Sequence, residues 1–146
     1  MRAVRLLAMG AVAISVAACS DFGPWGSEGL YDLRTANGQS VPAVVFDRSG
    51  NNQLTVTMVG GELFLRSDDS FRLDIDYEEW DGRTRTTYTQ GITGTWEWDN
   101  GEIFLNYLDP FTGDWEYLAA THRHNDVEIS IPGAVAGSSI RVLFRK

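Results

Sequence analysis

The chain has 146 residues, enough for one domain with its own core and too few for two. Its 20 acidic residues against 12 basic ones give a formal charge of −8, which argues against the clustered Lys/Arg surface that nucleic acid or anionic lipid would reward. A single cysteine rules out an intrachain disulfide, so stability must come from packing.

At the N-terminus, Arg2 and Arg5 precede the uncharged apolar run from Leu6 to Val16, and small residues follow. This is the layout of an export signal, too short for a spanning helix, which needs about 20 apolar residues. Val16-Ala17-Ala18-Cys19 resembles the lipobox of bacterial lipoproteins. The resemblance implies a diacylglyceryl thioether on Cys19, removal of residues 1–18 and acylation of the new amino terminus. The plainer alternative is an ordinary secretory signal that ends near a cysteine. In Gram-negative lipoproteins an Asp after the cysteine favours retention at the inner membrane. Ser20 stands there, which implies anchoring at the outer membrane, facing the periplasm. Several acyl chains exceed what stable anchoring requires, since one chain binds only marginally.

The predicted organisation is therefore a signal peptide helix (1–18), a lipidated tether (19–28) and one domain (29–146). Without residues 1–18, 128 of the 146 residues remain, and the loss of Arg2 and Arg5 takes the charge from −8 to −10. The tether carries Gly23-Pro24-Trp25-Gly26 and no periodicity. From Ser20 to Glu28 it spans about 30 Å when extended.

From Gly29 onward the pattern is that of short strands. Phe71, Leu73, Ile75 and Tyr77 alternate with Arg72, Asp74, Asp76 and Glu78, the period-2 mark of a half-buried strand. Ile103-x-Leu105-x-Tyr107, Val127-x-Ile129-x-Ile131 and Ile140-x-Val142-x-Phe144 repeat it. Gly60-Gly61, Asp81-Gly82, Asn100-Gly101 and Pro132-Gly133 supply hairpin turn signals, because such residues tolerate positive φ. Strands are expected near 29–34, 43–47, 54–58, 62–66, 71–78, 83–91, 94–98, 102–107, 114–121, 126–131 and 139–145, with some merging. Gly61-Glu62-Leu63-Phe64-Leu65 returns as Gly101-Glu102-Ile103-Phe104-Leu105, marking two equivalent hairpin arms. The fold class is all-β: an antiparallel meander of about 8–10 strands, with closure into a barrel as the better remedy for exposed edges.

Gly29-Leu30-Tyr31-Asp32-Leu33, Asn37-Gly38-Gln39-Ser40-Val41-Pro42, Gly94-Thr95-Trp96 and the closing Leu143-Phe144-Arg145 resemble small bacterial lipoproteins with a lipocalin-like barrel. Lipocalins carry Gly-x-Trp on the first strand, covered by an arginine from the last strand at the closed end. The resemblance implies that Tyr31 replaces that Trp and that Arg141 or Arg145 is the covering arginine. Gly94-Thr95-Trp96 is also similar to avidin-like barrels of the same broad group.

Chemistry-bearing residues are few. His122 and His124, two apart, would share one strand face as a metal pair requires, with Asp126 or Glu128 to complete a site. Against this, no third ligand stands at diagnostic spacing, and two exposed histidines at a strand end need no metal. Asp68-Asp69 fits a turn, and Asp74, Asp76, Glu78 and Glu79 fit the solvated half of a strand rather than a calcium or catalytic cluster. No nucleophile elbow, phosphate loop or dinucleotide fingerprint occurs, so a non-enzymatic protein without catalytic residues or cofactor is expected.

The aromatic interior is the remaining candidate. Tyr31, Phe71, Tyr77, Trp96, Trp98, Tyr107, Trp115 and Tyr117 are expected to point inward. A barrel of about eight strands either packs such residues shut or holds one small ligand among them. On the outer face, Phe64, Phe104 and Leu143 would form an apolar patch if adjacent. The expected function is a membrane-anchored envelope lipoprotein that binds a small apolar or amphiphilic ligand. The alternative is an interaction module, its protein partner unspecified, whose barrel is only a scaffold.

Overall fold

A computed structural model describes residues 26–133 and 135–146; the predicted signal peptide, Cys19 and Trp25 lie outside these residues. The described chain forms ten strands and no helix: β1 (Gly29–Ala36), β2 (Gln39–Ser40), β3 (Ala43–Arg48), β4 (Leu54–Leu65), β5 (Ser70–Trp80), β6 (Arg85–Asp99), β7 (Glu102–Leu108), β8 (Trp115–Arg123), β9 (Asp126–Pro132) and β10 (Ser139–Arg145). Every pairing is antiparallel. From β4 to β10 each strand pairs with the next, and β1 closes the ring by pairing with both β10 and β4. The all-β meander thus closes into an eight-stranded barrel. The short β2 and the six-residue β3 flank it, β3 pairing with the first half of β4 and β1 with the second.

Two pairs of expected strands merge, at glycines that lie within strands instead of ending them. Gly60-Gly61 lies inside β4, beside a register shift between Met58 and Gly60. A Cβ on Gly61 would sit 2.6 Å from the Asp74 carbonyl oxygen of β5, so the close backbone approach requires glycine. Gly91 and Gly94 lie inside β6 in the same way. At Gly94 a Cβ would collide with the Asn106 carbonyl of β7 and lie 2.9 Å from the Phe71 ring. Asn100-Gly101, by contrast, is a true two-residue turn, both residues at positive φ (49° and 99°) between the paired Asp99 and Glu102.

The core is the barrel interior. Period-2 alternation places Leu63, Leu65, Ile103 and Leu105 inside, while Phe64 and Phe104 of the two similar arms face out. Phe64 lies under the Arg66 guanidinium, 4.9 Å from its ring centre, and Phe104 packs on Tyr117 at 5.9 Å. Phe64 on β4, Phe104 on β7 and Leu143 on β10 stand on strands that are not neighbours, so the condition for an apolar patch of the three is not met.

The two poles differ. At one, the β6–β7 and β8–β9 turns are tight; at the other, 109–114 and 133–138 make longer connections. Longer loops and unequal strand lengths leave the second pole open.

Candidate functional site

The closed pole is built around Tyr31, which is fully buried. Its hydroxyl donates to the Ser27 carbonyl at 2.5 Å and lies 3.4 Å from His122 Nε2. Burial pushes the phenol up to about 12. The imidazole of His122 stands edge-on to Tyr31 and to Trp98, with ring centres 6.4 and 6.1 Å away. Desolvation, and then the charges of Lys146 and His124, hold His122 below its ordinary value. Trp96 closes the neighbouring turn, its ring N–H donating to the Arg66 carbonyl at 2.9 Å. Of the predicted tether, Gly26 to Glu28 is described, and Ser27 is buried against this pole.

The covering cation is neither predicted arginine. Arg141 and Arg145 lie on the outer face of β10, paired with Glu128 at 3.7 Å and Asp126 at 2.7 Å. Lys146 takes the place, its ammonium 5.1 Å from the Tyr31 ring centre, and it donates to the Gly26 carbonyl. The reason is parity: Ile140, Val142 and Phe144 are buried, so position 146 shares their side and positions 141 and 145 do not.

His122 and His124 do not share a strand face. His124 lies in the β8–β9 turn at φ 55°, which turns it away from the strand alternation that points His122 inward. Among the described residues no three His, Cys, Asp or Glu side chains converge as metal ligands.

Six of the eight expected interior aromatics point inward: Tyr31, Phe71, Tyr77, Trp96 and Tyr107 are buried, and Trp98 packs against the core. Trp115 and Tyr117 do not, being 72% and 64% exposed. β7–β8 register explains the correction. Leu118 pairs with buried Leu105, which fixes the even positions of β8 inside and puts Tyr117 beside Asn106 and Trp115 beside Leu108 on the outer face.

At the open pole the wall is incomplete. β7 pairs with β6 only from Gly94 onward, and β9 pairs with β8 only from Ala120 onward, so the tip of the β7–β8 hairpin has no ladder partner on either side. The resulting cleft has a volume of about 600 Å³. Leu73 and Ile75 line its floor, with Ile92, Leu118 and Ile131 on the walls and Pro110 and Phe111 at the lip. Phe111 is 91% exposed.

Three tyrosines ring this opening. Tyr77 stacks on Tyr88 with ring centres 5.3 Å apart, the two being directly paired across β5 and β6. Tyr88 donates to Glu79 at 2.8 Å, and Tyr107 donates to Glu116 at 3.0 Å. Burial first, and then the neighbouring carboxylates, push both phenols up to about 12. Tyr88, Ile92, Leu118 and Glu116 were not among the expected site residues. Parity would have placed Leu118, whereas Tyr88 enters through the register of a hairpin whose turn length the sequence leaves open. Comparison of the chain with protein-family models, curated proteins and solved structures gives no match.

Proposed function

We propose that the protein is a cell-envelope lipoprotein of the lipocalin-like kind, anchored through Cys19 at the outer membrane and facing the periplasm, whose barrel holds a small apolar or amphiphilic molecule at its open pole. It acts as a binder rather than an enzyme. One observation carries the reading: an apolar cleft of about 600 Å³ opens at one pole of a barrel whose other pole is plugged. That volume lies within the range of about 300–1,000 Å³ typical of small-molecule pockets.

Titration with a naphthylamine dye that brightens in apolar surroundings tests it. Saturable binding of one dye per chain is expected, abolished by Leu118→Trp, which fills the cleft from its wall. Dye binding indifferent to that substitution would place the dye elsewhere and sink the reading. Palmitate labelling tests the anchor, since incorporation should vanish in Cys19→Ala.

Outward-facing Trp115 and Tyr117, with Phe111 at the lip, favour a second reading, an interaction module that docks through the outside of the β7–β8 hairpin. A photo-crosslinker placed at residue 115 should then capture one specific envelope protein in cells, and Tyr117→Glu should abolish the product.

A further inference from the structure

The head of the ligand can be read from the rim of the cleft, on the reading that the cleft binds an amphiphile. Leu73, Ile75, Ile92, Leu118 and Ile131 give the cleft an aliphatic surface that suits a hydrocarbon tail. The charged groups of the lining are Asp109 and Glu116, both carboxyl groups, and Thr89 and Gln90 are its uncharged polar side chains besides the tyrosines. Glu79, held by the Tyr88 hydroxyl, adds a third carboxylate beside it. No Lys, Arg or His is among the described residues that line the cleft. Of the two arginines at the β5–β6 turn, Arg85 is engaged by Glu78 at 2.7 Å and Arg83 stands beside Asp81, and neither lines the cleft.

The carboxylates are arranged around aromatic faces. Tyr107 is bonded to Glu116, Tyr88 to Glu79, and Tyr77 lies flat against Tyr88. Asp109 is fixed by backbone N–H groups of Phe111 and Thr112, at 2.6 and 3.0 Å, at the base of the lip loop. Phenol faces attract cations through their quadrupole, and nearby carboxylates add to that attraction while repelling an anion.

We infer that the cleft selects amphiphiles by head charge, taking an alkylammonium in preference to an alkanoate of the same chain length. A fatty-acid carboxylate seated with its tail on Leu73 and Ile75 would bring its charge to carboxylates in a cleft whose described lining holds no Lys, Arg or His. An ammonium or quaternary ammonium head would meet tyrosine faces and those same carboxylates.

The test uses the purified full chain in detergent-free buffer and displaces the bound naphthylamine dye with dodecyltrimethylammonium, dodecanol and dodecanoate, each below its micellar concentration. The cation should displace the dye at about tenfold lower concentration than dodecanoate, with dodecanol between them. Glu116→Gln keeps the shape and the hydrogen bond to Tyr107, so dodecanol should be unaffected while the ratio of cation to carboxylate narrows to about twofold. Glu116→Asp should restore part of it. Displacement by dodecanoate as readily as by the cation would overturn the inference and leave the pocket standing. An unchanged ratio in Glu116→Gln, with dodecanol binding intact, would also overturn it. Failure of all three compounds, dodecanol included, would remove the pocket and the selectivity together.

Discussion

Lys146 holds its ammonium over the Tyr31 ring and donates to the Gly26 carbonyl, so one side chain ties the last strand to the segment that precedes the first. Lys146→Met should therefore lower stability by about 0.5–1 kcal/mol, while Arg141→Ala, on the solvent side of the same strand, should stay within about 0.5 kcal/mol, as urea denaturation would show. Tyr31→Phe removes the donor to Ser27 and should cost about 1 kcal/mol. His122 gives this pole a pH dependence. Its folded value lies below the ordinary one of about 6.5, so between the two the unfolded chain binds a proton that the folded chain does not. Stability is complete above that window and falls as pH falls through it. The urea midpoint should drop from about pH 7.5 to about pH 5.5, and His122→Gln should remove that part of the drop. Asp126, held low by Arg145, loses its contribution only in the more acidic carboxylate range.

Within the strands, period-2 alternation made most of the interior legible, because a strand with one greasy and one polar face has a single phase. Phe71 to Tyr77 is of this kind, and all four of its apolar residues are buried. β8 is not. Its larger side chains, Trp115 and Tyr117, stand on one parity, and Leu118, Ala120 and His122 on the other; size is no marker of the inner face at a hairpin tip that lacks neighbours on both sides. Leu118→Ala should thus cost about 2–3 kcal/mol, against no more than about 0.5 kcal/mol for Tyr117→Ser. Glycine was ambiguous for a related reason. It signals a turn where φ is positive, as at Gly101, and a crowded crossing where it is not, as at Gly94. A methyl group at Gly94 has no room between Asn106 and Phe71, and Gly94→Ala should cost at least about 2 kcal/mol by thermal or urea unfolding.

Across the whole molecule, closure follows from an even run of antiparallel strands, whereas the cleft follows from differences in strand length that emerge only once registers are known. β6 outruns β7 by the stretch from Arg85 to Thr93, and that overhang makes the wall discontinuous. Polarity also has a direction. The chain enters at the plugged pole, where Ser27 is buried, so a membrane anchor at Cys19 would draw that pole toward the lipid and leave the cleft facing outward. With the protein tethered to vesicles, a bulky maleimide should modify Thr112→Cys at the lip much faster than Asn125→Cys at the plugged pole. Equal rates would mean that the barrel has no preferred orientation.

The contact between Lys146 and Gly26 has one more consequence. Because the first and last described residues touch, the barrel is a ring of strands with no structural beginning, and the order of synthesis is separable from the order in space. A covalent link of a few residues between them would cost little loop-closure entropy, and the exposed segment 110–114 offers a place to cut the chain. Such a circular permutant would retain every strand pairing while placing its new ends at the rim of the cleft, where a fused reporter would sit beside whatever the barrel holds.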